Sequence, residues 1–130
     1  TLTAGTNRIS RGILEQLAAE ILAIQANYQI VIVSSGAIAA ARQSIQLAKW
    51  DSSTTTKQAL SAIGQPRLMQ IYSEVFADYG LRIAQCLMTY RDFNNPESRA
   101  NIQNTVAELL KQGYIPIFNE NDTTAVDEIV

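Results

Sequence analysis

The stretch Ile30-Val31-Ile32-Val33-Ser34-Ser35-Gly36-Ala37-Ile38-Ala39-Ala40 decides how the rest of the chain is read. Four consecutive branched apolar residues run into a small polar turn, and the turn runs at once into an alanine-rich segment of high helix propensity. An unbroken apolar run suits a strand covered on both faces, whereas a half-solvated strand alternates. The stretch therefore predicts a central strand of a parallel sheet, a tight loop and a helix start. In open α/β sheets ligands bind outside the carboxyl ends of the strands, and the free N–H groups of a helix start favour an anion there. A plain N-cap followed by a glycine turn would use the same residues, and on sequence both readings stand.

Upstream, residues 1–8 read as a polar loop, and the lack of an initial Met and of a first strand leads to the expectation that the chain is part of something longer. Ser10 suits the N-cap of a helix whose apolar face is Ile13, Leu14, Leu17, Ile21 and Ile24, and Asn27 suits its end. The strand is expected over 28–33 and a helix over 36–46. Residues 47–56, with Trp50-Asp51-Ser52-Ser53-Thr54, read as a polar loop or flap.

Two helical segments follow, 57–63 and 67–79, divided at Gly64-Gln65-Pro66 because proline is costly inside a helix. Leu68, Ile71, Tyr72, Val75, Phe76 and Tyr79 share a face, and Gly80 is a stop. A strand over 81–88, a loop over 89–93 and a helix opened by Asn95-Pro96 come next. That helix buries Ile102, Val106, Leu109 and Leu110, carries Lys111 in its last turn and stops at Gly113. The third strand spans 114–118, where Pro116 predicts a sheet edge or a bulge. Residues 119–124 form a polar loop, and 125–130 begin another strand. Helices alternating with strands predict a parallel sheet with right-handed crossovers and helices on both faces.

Composition narrows the function. The chain has 130 residues, 47% of them apolar, and a net charge of -2 with both signs scattered, so the basic stripe that nucleic-acid binding needs is missing. No apolar run reaches the length of a membrane span and no segment reads as a signal peptide, which points to the cytoplasm and away from a membrane. The single cysteine, Cys86, lies in an apolar stretch and reads as a buried small hydrophobe. With no histidine in the sequence, the commonest general base and metal ligand are unavailable.

Three loops should leave the carboxyl ends of the strands and converge on one rim: 34–36, 89–93 and 119–122. The third offers Asn119, Glu120, Asn121 and Asp122, which suit an ammonium group, a hydroxyl-rich ligand or a magnesium ion. Turn chemistry explains the same residues, since Asn and Asp bond readily to their own backbone. Together the first and third loops present one wall for a negative group and one for a positive group, and an amino acid carries both. Arg91 and Asp92 read as an ion pair or a helix-start contact more than as ligand contacts. Lys57-Gln58 and Gly64-Gln65 line a cleft or are solvated. Tyr72, Phe76 and Tyr79 read as core or a subunit contact. No phosphate-binding Gly-x-x-x-x-Gly-Lys-Ser/Thr loop and no Gly-x-Gly-x-x-Gly follows a strand.

The opening stretch, Lys57-Gln58-Ala59, Ala62-Ile63-Gly64-Gln65-Pro66-Arg67-Leu68-Met69-Gln70, Gln85-Cys86-Leu87-Met88-Thr89 with Asp92, Asn101, and Ile117-Phe118-Asn119-Glu120-Asn121-Asp122 together resemble the glutamate 5-kinase family. The kinase half of pyrroline-5-carboxylate synthase is similar. The resemblance implies the amino-acid-kinase fold, a three-layer α/β/α sandwich with a mainly parallel sheet. It implies transfer of the ATP γ-phosphoryl group, with Mg2+ on the nucleotide, to the side-chain carboxylate of L-glutamate, the first step of proline biosynthesis. It also implies a homo-oligomer.

By position, Ser35 resembles the family's glutamate-binding serine, with the Gly36 and Ala37 backbone beside it; Asp122 resembles the glutamate-binding aspartate, with Asn119 as its neighbour. Ala41 stands where the family often has glycine, and Tyr90 where it often has arginine. The family's first-strand lysine, its later Gly-Asp-Asn-Asp segment and its ATP half have no counterpart here. Residues 1–130 are thus expected to be a partial kinase domain, the N-terminal glutamate-binding part, without catalytic residues of its own and inactive alone. Two other readings are a non-catalytic amino-acid sensor of the same fold and a fragment that contributes a subunit interface through the 67–79 helix.

Overall fold

Helix α1 (Arg11–Ile24) buries Leu14, Ala18 and Ile21, a stripe at spacings of four and three residues. The structure, a computed structural model, describes residues 11–34 and 53–120. The Asn27 and Tyr28 N–H groups both bond to the Ile24 carbonyl, at 3.0 and 3.2 Å, and close the helix. Ile24, expected on the buried face, is exposed at this end. The expected N-cap Ser10, the expected 36–46 helix and the expected 125–130 strand lie outside the described residues.

Strand β1 (Ile32–Ser34) is shorter than the expected 28–33 and alternates: Ile32 and Ser34 are buried, while Val33 is 83% exposed. The expectation of a strand covered on both faces is corrected accordingly. Four branched residues favour extended backbone whether or not both faces are covered, so the run reports β propensity as much as burial.

Helix α2 (Thr54–Asp78) runs unbroken through Pro66, against the expected division there. Leu60, Ser61, Gly64, Leu68, Tyr72, Val75 and Phe76 form one buried stripe along it, so packing continues on both sides of the proline. Pro66 and Ala62, whose carbonyl loses its donor, are on the exposed side, where the lost hydrogen bond costs least. Ser53 caps the helix, its hydroxyl accepting the Thr56 N–H at 3.2 Å. At the other end Gly80 (φ 72°) completes a Schellman turn: the Gly80 N–H bonds to the Ala77 carbonyl and the Leu81 N–H to that of Phe76, both at 3.0 Å.

Strand β2 (Ile83–Met88) leads to a short helix α3 (Tyr90–Asn94), where a loop was expected, and then to α4 (Pro96–Lys111). Asn95 caps α4 as its sequence predicts, accepting the Glu97 and Ser98 N–H groups at 3.0 and 3.1 Å, with Pro96 in the first turn. A second Schellman turn at Gly113 (φ 83°) directs the chain into β3 (Ile115–Glu120).

All strand pairs are parallel, in the order β1-β3-β2. Two expectations about position invert: among the described residues β1 is an edge and β3, with its proline, is central. The Ile115 N–H bonds to the Arg82 carbonyl at 2.8 Å, on the β2 side. Donors alternate along a strand, so the donor missing at Pro116 faces β1, whose ladder begins only at the next pair, Ile32 with Ile117. Proline therefore removes no ladder bond, and its ring is fully buried.

One sheet face, carrying Ile32, Ile115 and Ile117, packs against α1 and α2 around Leu14, Leu68, Tyr72 and Phe76. The Tyr72 and Phe76 rings meet edge to face at 5.6 Å. On the other face, Ala84, Cys86 and Phe118 meet Ile102, Val106 and Leu109 of α4. The α4 residues expected to be buried are only half-buried. Helices on both faces of a parallel sheet make the three-layer α/β/α architecture.

Candidate functional site

Register sets where the strand ends lie. Ser34 of β1, Asn119 of β3 and Leu87 of β2 form one row across the sheet, and Met88 pairs with Glu120 one step further. The three strands thus end within one residue of each other, and the chain leaves all of them at the same rim. Adjacent strands lie about 4.8 Å apart. The backbone that leads into Ser35-Gly36-Ala37 and the backbone that leads into Asn121-Asp122 therefore start as immediate neighbours.

Of the residues singled out from sequence, Asn119 is in β3 and not in the loop that follows it, because the ladder with β2 continues to Glu120. Ser35, Gly36, Ala37 and Asp122 lie outside the described residues. The second loop serves structure. Asp92 accepts the Thr89 N–H at 2.8 Å and the Thr89 hydroxyl at 3.3 Å, closing a capping box on α3, so its carboxylate is engaged at the helix start. Gly64 is buried and Gln65 meets Gln85 of β2 at 3.5 Å, which makes this polar pair a link between α2 and the sheet and not a cleft wall. Lys57 and Gln58 are half-buried in the first turn of α2.

Sequence reasoning passed over Ser34 as a separate feature. It is 6% exposed, and its hydroxyl has no hydrogen-bond partner among the described residues. An unpaired buried hydroxyl costs about 1–3 kcal/mol, so its persistence calls for a reason. Burial pushes the Tyr72 phenol up, and the Ser34 hydroxyl partly offsets that shift, although the contact falls short of hydrogen-bond geometry. The period of two along β1, which sets Ser34 on the same face as Ile32, was the signal that could have found it.

On the opposite face a cleft of about 410 Å³ lies between β2, β3 and α4, lined by Cys86, Phe118, Asn101, Thr105 and Leu109 among others. Burial pushes the Cys86 thiol up, in line with an inert half-buried cysteine. Among the described residues that line the cleft, none carries a carboxylate or a basic group. Among the described residues, no cluster of three or more His, Cys, Asp or Glu could hold a metal, and no helix is long and apolar enough to cross a membrane.

A parallel three-layer fold with its candidate loops at the carboxyl rim is common to many α/β families, and comparison with known proteins decides among them. The profile of the amino acid kinase family matches residues 2–130. The chain belongs to the amino acid kinase family. This amino acid kinase chain is 42% identical over 129 residues to a glutamate 5-kinase of Geobacter sp. (strain M21), covering 98% of the chain and 35% of that protein. It is 41% identical over 130 residues to the glutamate 5-kinase of Moorella thermoacetica, covering 99% of the chain and 34% of that protein. With the glutamate 5-kinase of Desulfotalea psychrophila it shares 43% identity over 126 residues, covering 93% and 33%. The chain thus spans about a third of the length of these curated relatives.

Proposed function

We propose that the protein carrying this chain transfers the γ-phosphoryl group of ATP to the side-chain carboxylate of L-glutamate, and that these residues build its glutamate site. The observation that carries the reading is the shared row of Ser34 and Asn119, which starts the serine-glycine loop and the Asn-Asp loop side by side on one rim. Relatives named glutamate 5-kinase at 41–43% identity support the same substrate.

In this reading Ser35, with the Gly36 and Ala37 backbone N–H groups, binds a carboxylate of the substrate, and Asp122 holds its ammonium group, with Asn119 beside it. ATP supplies the phosphoryl group and Mg2+ accompanies it. Transfer of this kind depends on positioning and on neutralising spreading negative charge. The role of this chain is the first of these: it binds and orients the acceptor. The reading includes a cytoplasmic enzyme of proline biosynthesis that assembles as a homo-oligomer.

The test is ADP release by the full-length protein with ATP and Mg2+, with and without L-glutamate. The expected result is ADP formation that saturates with L-glutamate and is not supported by D-glutamate or L-aspartate. ADP formation independent of L-glutamate, or none at all, would overturn the proposal.

A further inference from the structure

Among the described residues, β2 presents an open backbone edge beside a cleft. The Ile115 N–H of β3 bonds to the Arg82 carbonyl at 2.8 Å, and backbone groups alternate in direction along a strand. The N–H and C=O groups of Ala84, Cys86 and Met88 therefore face β3. Those of Ile83, Gln85 and Leu87 face away from it, where they have no backbone partner among the described residues.

Exposed edges are normally blunted by short length, charge, proline or a bulge. The other outer strand of the described sheet, β1, has three residues. Strand β2 has six, with no charge, no proline and an unbroken register against β3. None of the six is buried, and Leu87 is 56% exposed. The cleft of about 410 Å³ runs along this edge: Ala84, Gln85, Cys86 and Leu87 line it in succession, and its far wall is a stripe of α4 that includes Asn101 and Thr105.

A second copy of the same strand fits this edge. In an antiparallel pair about a two-fold axis through Gln85, the outward groups of Ile83, Gln85 and Leu87 meet those of Leu87, Gln85 and Ile83 of the second copy, and every donor faces an acceptor. The exposed Leu87 then covers Ile83 of the second copy. An axis through Cys86 would instead set Ile83 opposite Thr89, whose N–H is already given to the Asp92 carboxylate at 2.8 Å. Charge does not oppose the pairing, because the strand and the cleft lining are neutral, whereas a charged strip would repel its own copy across the axis. A lone strand pair is marginal in water. Here Ala84, Cys86 and Met88 of the second copy fall on the α4 side of the sheet, at the mouth of the cleft, and add apolar contact.

We propose that β2 is a self-association edge, through which two copies of the protein pair antiparallel over Ile83–Met88 into one continuous sheet. The proposal rests on the homo-oligomer reading above and names the surface that joins the copies.

Its test is disulfide trapping in the full-length protein, with every cysteine other than Cys86 replaced by serine. In the proposed register Ala84 and the second copy's Cys86 form a non-hydrogen-bonded pair with Cα atoms about 4.5 Å apart, within disulfide reach. Two Cys86 residues lie on a diagonal at about 7–8 Å, beyond it. Mild oxidation of Ala84→Cys should give a covalent dimer as the main species on a non-reducing gel. Cys86 alone, and Ala84→Cys combined with Cys86→Ser, should stay single chains. Leu87→Lys adds a charge at an already exposed site and should halve the solution mass read by light scattering, with the circular dichroism spectrum unchanged.

A wild-type oligomer that gives no covalent dimer from Ala84→Cys, or that keeps its mass in Leu87→Lys, would overturn the edge as the interface and leave the homo-oligomer reading standing. Equal dimer from Cys86 alone would overturn the pairing. A monomeric wild-type protein would overturn the homo-oligomer reading and this proposal together, while glutamate-dependent turnover decides the enzymatic reading separately.

Discussion

Two glycines in left-handed backbone allow the packing around the second one to be weighed. Gly80 and Gly113 have φ of 72° and 83°, and each completes a Schellman turn. Alanine in that region costs about 1–2 kcal/mol, less about 0.4–1 kcal/mol from stiffening the unfolded chain, so Gly80→Ala should destabilise by about 1 kcal/mol. A Cβ at Gly80 would meet nothing within 4 Å, so no further cost applies.

At Gly113 the same Cβ would lie 3.0 Å from Arg82 Nη2. That nitrogen donates to the Gln112 carbonyl at 3.0 Å, and the guanidinium sits 4.6 Å from the centre of the Tyr114 ring. The arginine is exposed and flexible, so displacing it forfeits only part of a hydrogen bond and of a surface cation–π contact, together about 1 kcal/mol. Gly113→Ala should therefore cost about 2 kcal/mol, twice the loss at Gly80. In urea unfolding, with a slope of about 2 kcal/mol per molar, the two variants should differ in midpoint by about 0.5 M. In an Arg82→Ala background the difference should vanish. Equal midpoints for the two variants, or a difference that survives removal of Arg82, would refute the assignment of Arg82 as the clasp at the start of β3.

Pro66→Ala should stabilise the fold by about 1–2 kcal/mol, visible as a higher Tm, because it restores a donor on the exposed side of a helix already continuous there. Asp92→Ala should cost about 1 kcal/mol by opening the capping box on α3, with no change in the proposed glutamate saturation of the full-length protein. Ser35→Ala and Asp122→Ala should instead raise the glutamate KM by about tenfold or more and leave the ATP KM near wild type; wild-type glutamate saturation in both would remove them from the site. Burial holds the Cys86 thiol protonated above its ordinary range, so alkylation by iodoacetamide should be slower than for a free cysteine at pH 8 and should keep rising at higher pH. A labelling rate equal to that of the denatured protein would contradict this.

The α/β class and the helix ends were legible in sequence because they depend on local chemistry. Asn95-Pro96, Gly80 and Gly113 each do what their residue type dictates within one turn. What local chemistry could not show was how strands and helices pack. The apolar run at 30–33 is the same string whether one face or two are covered, and Val33 is open where continuous burial was expected.

Pro66 predicts a helix break and Pro116 a sheet edge or bulge, and both are accommodated by geometry that only the assembled fold supplies. One has its lost bond on the exposed side of α2, and the other has its missing donor facing β1 just ahead of that ladder. At the rim, the convergence of the strand ends followed from the alternating order of elements. The orphaned hydroxyl of Ser34 depends on how the end of β1 is covered in the assembled fold, which no local pattern shows.

The most direct measurement of the central claim is a crystal structure of the full-length protein with L-glutamate bound. The ligand is predicted at the carboxyl rim above the Ser34–Asn119 row, with a carboxylate at Ser35 and the ammonium at Asp122. Glutamate bound at the opposite rim, or in the cleft beside Cys86 and α4, would contradict it.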